Sequence, residues 1–218
     1  WNNRIRKIDS NGEVTTIAGS TMGYADGTGT SAQFNSPDGL AIDNDGAIIV
    51  ADSYNHRIRK IDSNGEVSTI AGSTEGYADG IGENAQFDTP MGVAIDNDGA
   101  VIVADSFNHR IRKIDSNREV STIAGVGETE RYVLFQMPVG VAIDKDGSII
   151  VADAGKNRIR KIHSNRDVTT IAGSGYGNSD GTGKNALFYM PHGVAIDNDG
   201  VIIVTDGFNN RIRKIEIK

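Results

Sequence analysis

The sequence predicts an all-β fold, a β-propeller of four-stranded antiparallel blades, and three observations carry that expectation. The pentamer RIRKI begins at Arg4, Arg57, Arg110, Arg158 and Arg211, so successive copies stand 53, 53, 48 and 53 residues apart. A period of that length marks a repeat architecture. Within one period, GVAID (Gly92 to Asp96), VIVAD (Val101 to Asp105), RIRKI (Arg110 to Ile114) and VSTIAG (Val120 to Gly125) read as four short strands, a to d, separated by turn residues. Polarity rises along them. Strands a and b are apolar on both faces, as strands covered on both sides must be, whereas c carries Arg110, Arg112 and Lys113 and d carries Ser121 and Thr122. That is the order from central channel to rim in a propeller, and it predicts Val93, Ile95, Val101 and Val103 in the core.

The chain opens inside a repeat, with WNNRIRKI as a strand c and Val14 to Gly19 as a strand d. Asn11-Gly12 and Asn64-Gly65 give the c–d hairpins a two-residue turn with positive φ. At Asn117-Arg118 and Asn165-Arg166 arginine replaces the glycine, and a longer or type I loop is expected because arginine resists positive φ. The linkers from d to the next a carry Tyr24, Tyr77 and Tyr176. Their Ser31-Ala-Gln-Phe34 and Asn84-Ala-Gln-Phe87 segments are expected to form one helical turn whose Phe plugs between blades. The third linker is five residues shorter, so the ring should be irregular there. Pro37, Pro90, Pro138 and Pro191 set the entry to each strand a, where a missing N–H is tolerable.

The a–b hairpins read DNDG or DKDG. We read them as turns and not calcium loops, since a third oxygen ligand and a closing Glu are absent. Strand b ends at Asp52, Asp105, Asp153 or Asp206, five residues before the arginine that opens strand c. The expectation is a structural Asp–Arg or Asp–backbone bond fixing the hairpin. Such pairing would absorb the basic run RIRK, which is therefore not read as a phosphate stripe.

These residues carry a resemblance. VAIDNDGAVIVADSFNHRIRKID resembles an NHL repeat, and GYADGTGTSAQFNSPDG resembles the linker of its long form. The likeness covers essentially the whole chain, so residues 1–218 are expected to form one propeller domain, alone or as part of a larger ring. It implies a scaffold whose members include binding modules and a few enzymes, and function has to come from the site.

Composition narrows the classes. Cysteine is absent, which removes disulfides and thiolate catalysis and leaves the redox compartment undetermined. A net charge of −7 argues against a general nucleic-acid surface. No apolar run reaches the roughly 18 residues that would span a membrane. The chain is expected to be soluble, with secretion left open, and it starts at Trp1 without Met as a processed or partial chain would. No cofactor is expected.

Because the units are near-copies, positions that vary at constant geometry are the candidates for function. The residue between the linker proline and the strand a glycine is Asp38, Met91, Val139 or His192, and it should face the mouth of the central channel. At the tip of the b–c hairpin, Trp1, Tyr54, Phe107 and Phe208 align, with Gly155 breaking the series. Both sets fall on one face, the top. The favoured reading is a non-enzymatic module that binds a peptide, protein or glycan there through Trp1, Tyr54, Phe107, Phe208, Asp38, Met91 and His192. The alternative, implied by the resemblance, is a metal-dependent lyase or lactonase at the channel mouth. Only Asp38 and His192 could ligate a metal there, one fewer than such sites normally use. His56 and His109 read as structural.

Strand counting leaves closure open. The chain offers seventeen strands: c and d, three complete units, then a, b and c. Val14 to Gly19 could supply the missing d beside Arg211 to Ile215, within one chain or by exchange between two copies. The surplus Arg4 to Ile8 favours a higher-order or incomplete ring over a lone four-bladed monomer, whose wedge angle would be unusually wide.

Overall fold

The computed structural model describes residues 2–125 and 134–216. It is an arc of antiparallel sheets arranged as a β-propeller. The first complete blade runs from axis to rim as strand a (Pro37–Ile42), b (Ile48–Asp52), c (Arg57–Ile61) and d (Glu66–Ala71). The preceding linker adds a fifth short strand, Gly27–Thr28, outside d. The second blade repeats this with Pro90–Ile95, Val101–Asp105, Arg110–Ile114, Glu119–Ala124 and linker strand Gly80–Ile81. The third has four strands, Pro138–Ile143, Ile149–Asp153, Arg158–Ile162 and Val168–Ala172. The fourth has Pro191–Ile196, Ile202–Asp206 and Arg211–Ile215 only, and the opening hairpin Ile5–Ile8 with Val14–Ala18 is a separate two-stranded sheet. The arc is thus an incomplete ring among the described residues, and Val14–Ala18 pairs with Ile5–Ile8 instead of closing onto Arg211–Ile215.

Apolar faces of neighbouring blades make the core. Val93, Val101 and Val103 are buried and Ile95 half-buried, and Phe34, Phe87, Phe135 and Phe188 plug the inter-blade seams. At the axis the inner strands meet backbone to backbone. A Cβ on Gly39, Gly92 or Gly140 would run into the carbonyl oxygen of Met91, Val139 or His192 respectively, in the next blade, so only glycine permits this spacing. A Cβ on Gly193 would meet only Thr205 of its own blade, which marks where the arc stops. Leu40, at the other end of the arc, is 53% exposed while its counterparts Val93 and Val141 are buried. No helix among the described residues is long and apolar enough to cross a membrane.

Two local expectations are corrected. The c–d hairpins share one geometry whether glycine or arginine follows Asn. Gly12 N–H donates to Asp9 O at 3.1 Å and Arg118 N–H to Asp115 O at 3.0 Å, and φ is +82° at Gly12, +63° at Arg118 and +67° at Arg166. The loop is not longer at the arginines, and it is a type I turn closed by one left-handed residue in every copy. Asp115 explains the second-blade case: its Oδ1 accepts from the N–H groups of Asn117 and Glu119 at 2.8 Å each and clamps the chain in that shape. The linker helical turn also lies earlier than expected, at Gly29–Ser31 and Gly82–Asn84. Gln33 and Phe34 cannot join it, because Gln33 N–H donates to Ala25 O and Phe34 O accepts from Gly23 N–H, both at 3.0 Å. The third-linker expectation falls largely on residues 126–133, outside the described residues.

Candidate functional site

The top face is built by the end of strand b and the start of strand a. Pro37 lies opposite Asp52, Pro138 opposite Asp153 and Pro191 opposite Asp206, so each b–c hairpin tip stands beside a linker proline. The tip residue is then tied to the linker by its backbone. Tyr54 N–H donates to Asn35 O (3.1 Å), Phe107 N–H to Asp88 O (3.1 Å) and Phe208 N–H to Tyr189 O (3.2 Å). Each acceptor precedes Asp38, Met91 or His192 by three residues, which brings hairpin tips and channel-mouth residues onto one surface.

Beneath the tips lies a buried ion network that holds them still. The Asp52 carboxylate accepts from Asn35 N–H at 2.7 Å, from Asn55 Nδ2 at 2.8 Å and from Arg59 at 2.7 Å. Arg59, fully buried, also reaches Asp26 Oδ1 in the linker at 2.6 Å. Arg112 repeats this with Asp105 and Asp79, and Arg213 with Asp206 and Asp180. Burial pushes the Asp52 and Asp105 carboxyls up, and these hydrogen bonds and cations pull them back. The Asp–Arg bond expected from spacing is present, but its partner is the second arginine of RIRKI, not the first. Arg57 instead lies over the Tyr24 ring, 3.9 Å from its centroid, and Arg110 over Tyr77 at 3.7 Å. Those two tyrosines also bond Thr69 and Thr122 through their hydroxyls, so they serve the blade edge.

The first acid of each DNDG turn is likewise engaged by its own turn. Asp43 accepts from Asp45 and Ala47 N–H groups with one oxygen and from Lys60 Nζ with the other, at 2.8 Å. His56 and His109 are structural as expected: each accepts at Nδ1 from a backbone N–H of the next linker, Thr89 at 3.2 Å and Met137 at 3.0 Å. Sequence reasoning missed Ser53 and Ser106, whose buried hydroxyls donate to Pro90 O and Pro138 O of the following blade at 2.7 and 2.6 Å. Their position directly after the strand b Asp was the available signal.

What remains uncommitted is the surface itself. Asp38, Val139 and His192 line a cavity of about 180 Å³ at the channel mouth, floored by Gly39, Gly92 and Gly140, while Met91 is half-buried and outside that lining. Asp38 is exposed at this mouth, and partial desolvation by the surrounding strands raises its pKa above the ordinary carboxylate value, with the attraction of His192 offsetting only part of this. Among the described residues no three His, Asp or Glu side chains gather as a metal site, so Asp38 and His192 alone do not fit the metal that a lyase or lactonase reading needs. Tyr54, Phe107 and Phe208 are 55%, 49% and 63% exposed. Phe208 packs at 5.0 Å and a tilt of 32° on Tyr189, which meets Tyr176 edge-on at 4.6 Å, giving a run of three rings. Trp1 lies outside the described residues.

The solved structures of similar shape share this fold. An auxiliary nutrient binding protein from Bacteroides thetaiotaomicron superposes with a TM-score of 0.72 at 17% identity, over 99% of this chain and 54% of that one. Virginiamycin B lyase from Staphylococcus aureus gives 0.61 at 16% identity, over 100% of this chain and 64% of that one. In sequence, NHL repeat-containing protein 2 of Homo sapiens is 45% identical over 82 residues, which is 37% of this chain and 11% of that protein. The chain spans about a tenth of the length of the curated relatives it first matches. The NHL repeat model matches residues 34–61, 87–114, 135–162 and 188–215, each running from the linker Phe to the end of strand c. With about half its residues inside those four matches, the chain belongs to the NHL-repeat family.

Proposed function

We propose that this chain is a non-enzymatic binding module that holds a peptide, protein or glycan on the top face of its propeller. The observation that carries the reading is the pairing of exposed rings with fixed backbones. Tyr54, Phe107 and Phe208 leave about half or more of their surface to solvent, yet each is pinned by a hydrogen bond to the linker and stands over a hairpin locked by a buried Asp. Rigid aromatic rings give contact area at little entropic cost, which is the chemistry of an anchor. Asp38 and His192 add polar groups of opposite character at the channel mouth, where a ligand lying across the rings would find them. Proteins of similar fold include a nutrient binding protein and a lyase, so the fold is compatible with either class and the site decides.

A glycan and peptide array probed with the 218-residue chain tests the reading. The expected result is a ligand class whose binding falls in Tyr54→Ala and Phe107→Ala. Stoichiometric zinc or calcium in the purified protein, lost in Asp38→Ala, would favour a metal-dependent lyase or lactonase at the same mouth.

A further inference from the structure

The fourth blade gathers three aromatic rings at a junction where other blades place other side chains. The backbone frame of that junction is the same from blade to blade. In the first, Tyr54 N–H donates to Asn35 O at 3.1 Å and Asn55 Nδ2 to Gly23 O at 2.8 Å; in the fourth, Phe208 N–H donates to Tyr189 O at 3.2 Å and Asn209 Nδ2 to Gly177 O at 2.7 Å. Met22, Glu75 and Tyr176 share a position too, each bridged to its linker Phe, at Phe34, Phe87 or Phe188. The three places of the junction therefore read Met22, Asn35 and Tyr54 in the first blade, Glu75, Asp88 and Phe107 in the second, and Tyr176, Tyr189 and Phe208 in the fourth. Tyr176 and Phe208 are 70% and 63% exposed, and Tyr189 is half-buried in contact with both. Met22, in a blade with all its strands, is 69% exposed, so the exposure of Tyr176 is a property of the position.

We infer, on the top-face reading proposed above, that this junction is a glycan subsite: Tyr176 and Phe208 stack on the faces of neutral sugar rings, and the Tyr176 and Tyr189 hydroxyls bond the sugar hydroxyls at the ring edges. An aromatic face carries the negative part of the ring quadrupole and attracts the weakly positive C–H face of a pyranose. The hydroxyls are available for the second task. Tyr24 and Tyr77 spend theirs on Thr69 and Thr122, whereas among the described residues neither the Tyr176 nor the Tyr189 hydroxyl has a hydrogen-bond partner. Charge selects the ligand class. The residues on either side of each of the three rings are uncharged, while the second blade puts Glu75 and Asp88 at the matching places, so the fourth-blade junction suits a ligand without charge. A nucleic acid, whose bases also stack on rings, would bring phosphates to a chain of net charge −7. A peptide anchor fills a pocket, and the cavity at the channel mouth is not lined by these rings.

Saturation-transfer NMR of the 218-residue chain with a panel of neutral disaccharides (cellobiose, maltose, lactose, xylobiose and mannobiose) tests this. At least one sugar should bind saturably, and its affinity should fall by about tenfold or more in Tyr176→Ala and in Phe208→Ala. Tyr189→Phe, which keeps the ring and removes the hydroxyl, should lose about threefold or more. Tyr54→Ala, in another blade, should leave the disaccharide affinity unchanged. Tyr176 is so exposed that its removal leaves the fold intact, and thermal unfolding checks this. Unchanged affinity in folded Tyr176→Ala overturns the subsite, as does a panel in which no neutral sugar binds or in which only peptides compete for these rings. An array ligand that depends on Tyr54 and Phe107 but not on Tyr176 also overturns it, and leaves the wider top-face reading standing; absence of any top-face ligand removes both.

Discussion

His56 Nδ1 accepts a hydrogen bond from the backbone N–H of Thr89 at 3.2 Å, and both residues hold left-handed conformations, with φ of +55° and +50°. The same joint recurs between His109 and Met137, Asn157 and Met190, and Asn3 and Ser36, always between a hairpin and the linker entering the next blade. A side chain that accepts from a neighbouring blade fixes the wedge between blades, and either imidazole or carboxamide can do it.

His56→Asn should therefore fold with stability close to the parent, because Asn157 and Asn3 already serve this role and asparagine tolerates a left-handed backbone. His56→Ala should lose about 1–2 kcal/mol, from the orphaned Thr89 N–H and the strained φ together. Urea unfolding of the two variants makes the comparison; equal losses would show that the hydrogen bond contributes nothing.

Arg112 is fully enclosed and bridges Asp105 and Asp79, so Arg112→Ala leaves a buried carboxylate without its cation. The expected loss is about 3–5 kcal/mol. Arg213→Ala should cost less, since Arg213 is partly exposed and its second partner Asp180 faces solvent. Chemical denaturation midpoints rank the two.

At the axis, Gly92→Ala should destabilise by about 1–3 kcal/mol, since its Cβ would press on the Val139 carbonyl and strand a would have to shift. Thermal unfolding measures this. A neutral outcome would mean that the inner strands lie farther apart than the structure places them.

Asp38 carries a pH signature. An acid whose pKa is higher folded than unfolded contributes stability that is present below its unfolded value and is lost as pH rises through its folded value. Asp38 is of this kind, because partial desolvation outweighs the attraction of His192, and its exposure to solvent keeps the effect small. Asp38→Asn should then melt higher than the parent near neutral pH and match it in acid below the ordinary carboxylate range, where the parent carboxyl is protonated. A variant that melts lower near neutral pH would show that Asp38 is stabilised by His192 and not held at a cost for binding.

The repeat, the strands and the top face were legible because apolar alternation and turn residues recur in register. Long-range choices between like residues were not. Asp52 lies opposite Arg57 in the ladder, yet its carboxylate reaches Arg59 on the same face two residues on, because Arg57 is held against Tyr24 by a linker more than thirty residues away in sequence. Arg118 in a left-handed turn could not be read from arginine's own preference, since the decision belongs to the Asp115 carboxylate two and four residues from the amides it holds. Of the candidate site, the alignment of copies identified which positions vary, but the contact of Phe208 with Tyr189 arises from a linker residue that is Asn35, Asp88 or Gln136 elsewhere.

The top-face reading is tested most directly by the double variant Tyr54→Ala, Phe107→Ala, compared with the parent against the strongest array ligand by calorimetry, with thermal unfolding measured in parallel. Both rings are exposed at hairpin tips, so the melting temperature should barely change. Affinity should fall by about 1–3 kcal/mol for each ring lost. Unchanged affinity in a folded double variant would contradict the account and place the binding surface elsewhere on the propeller.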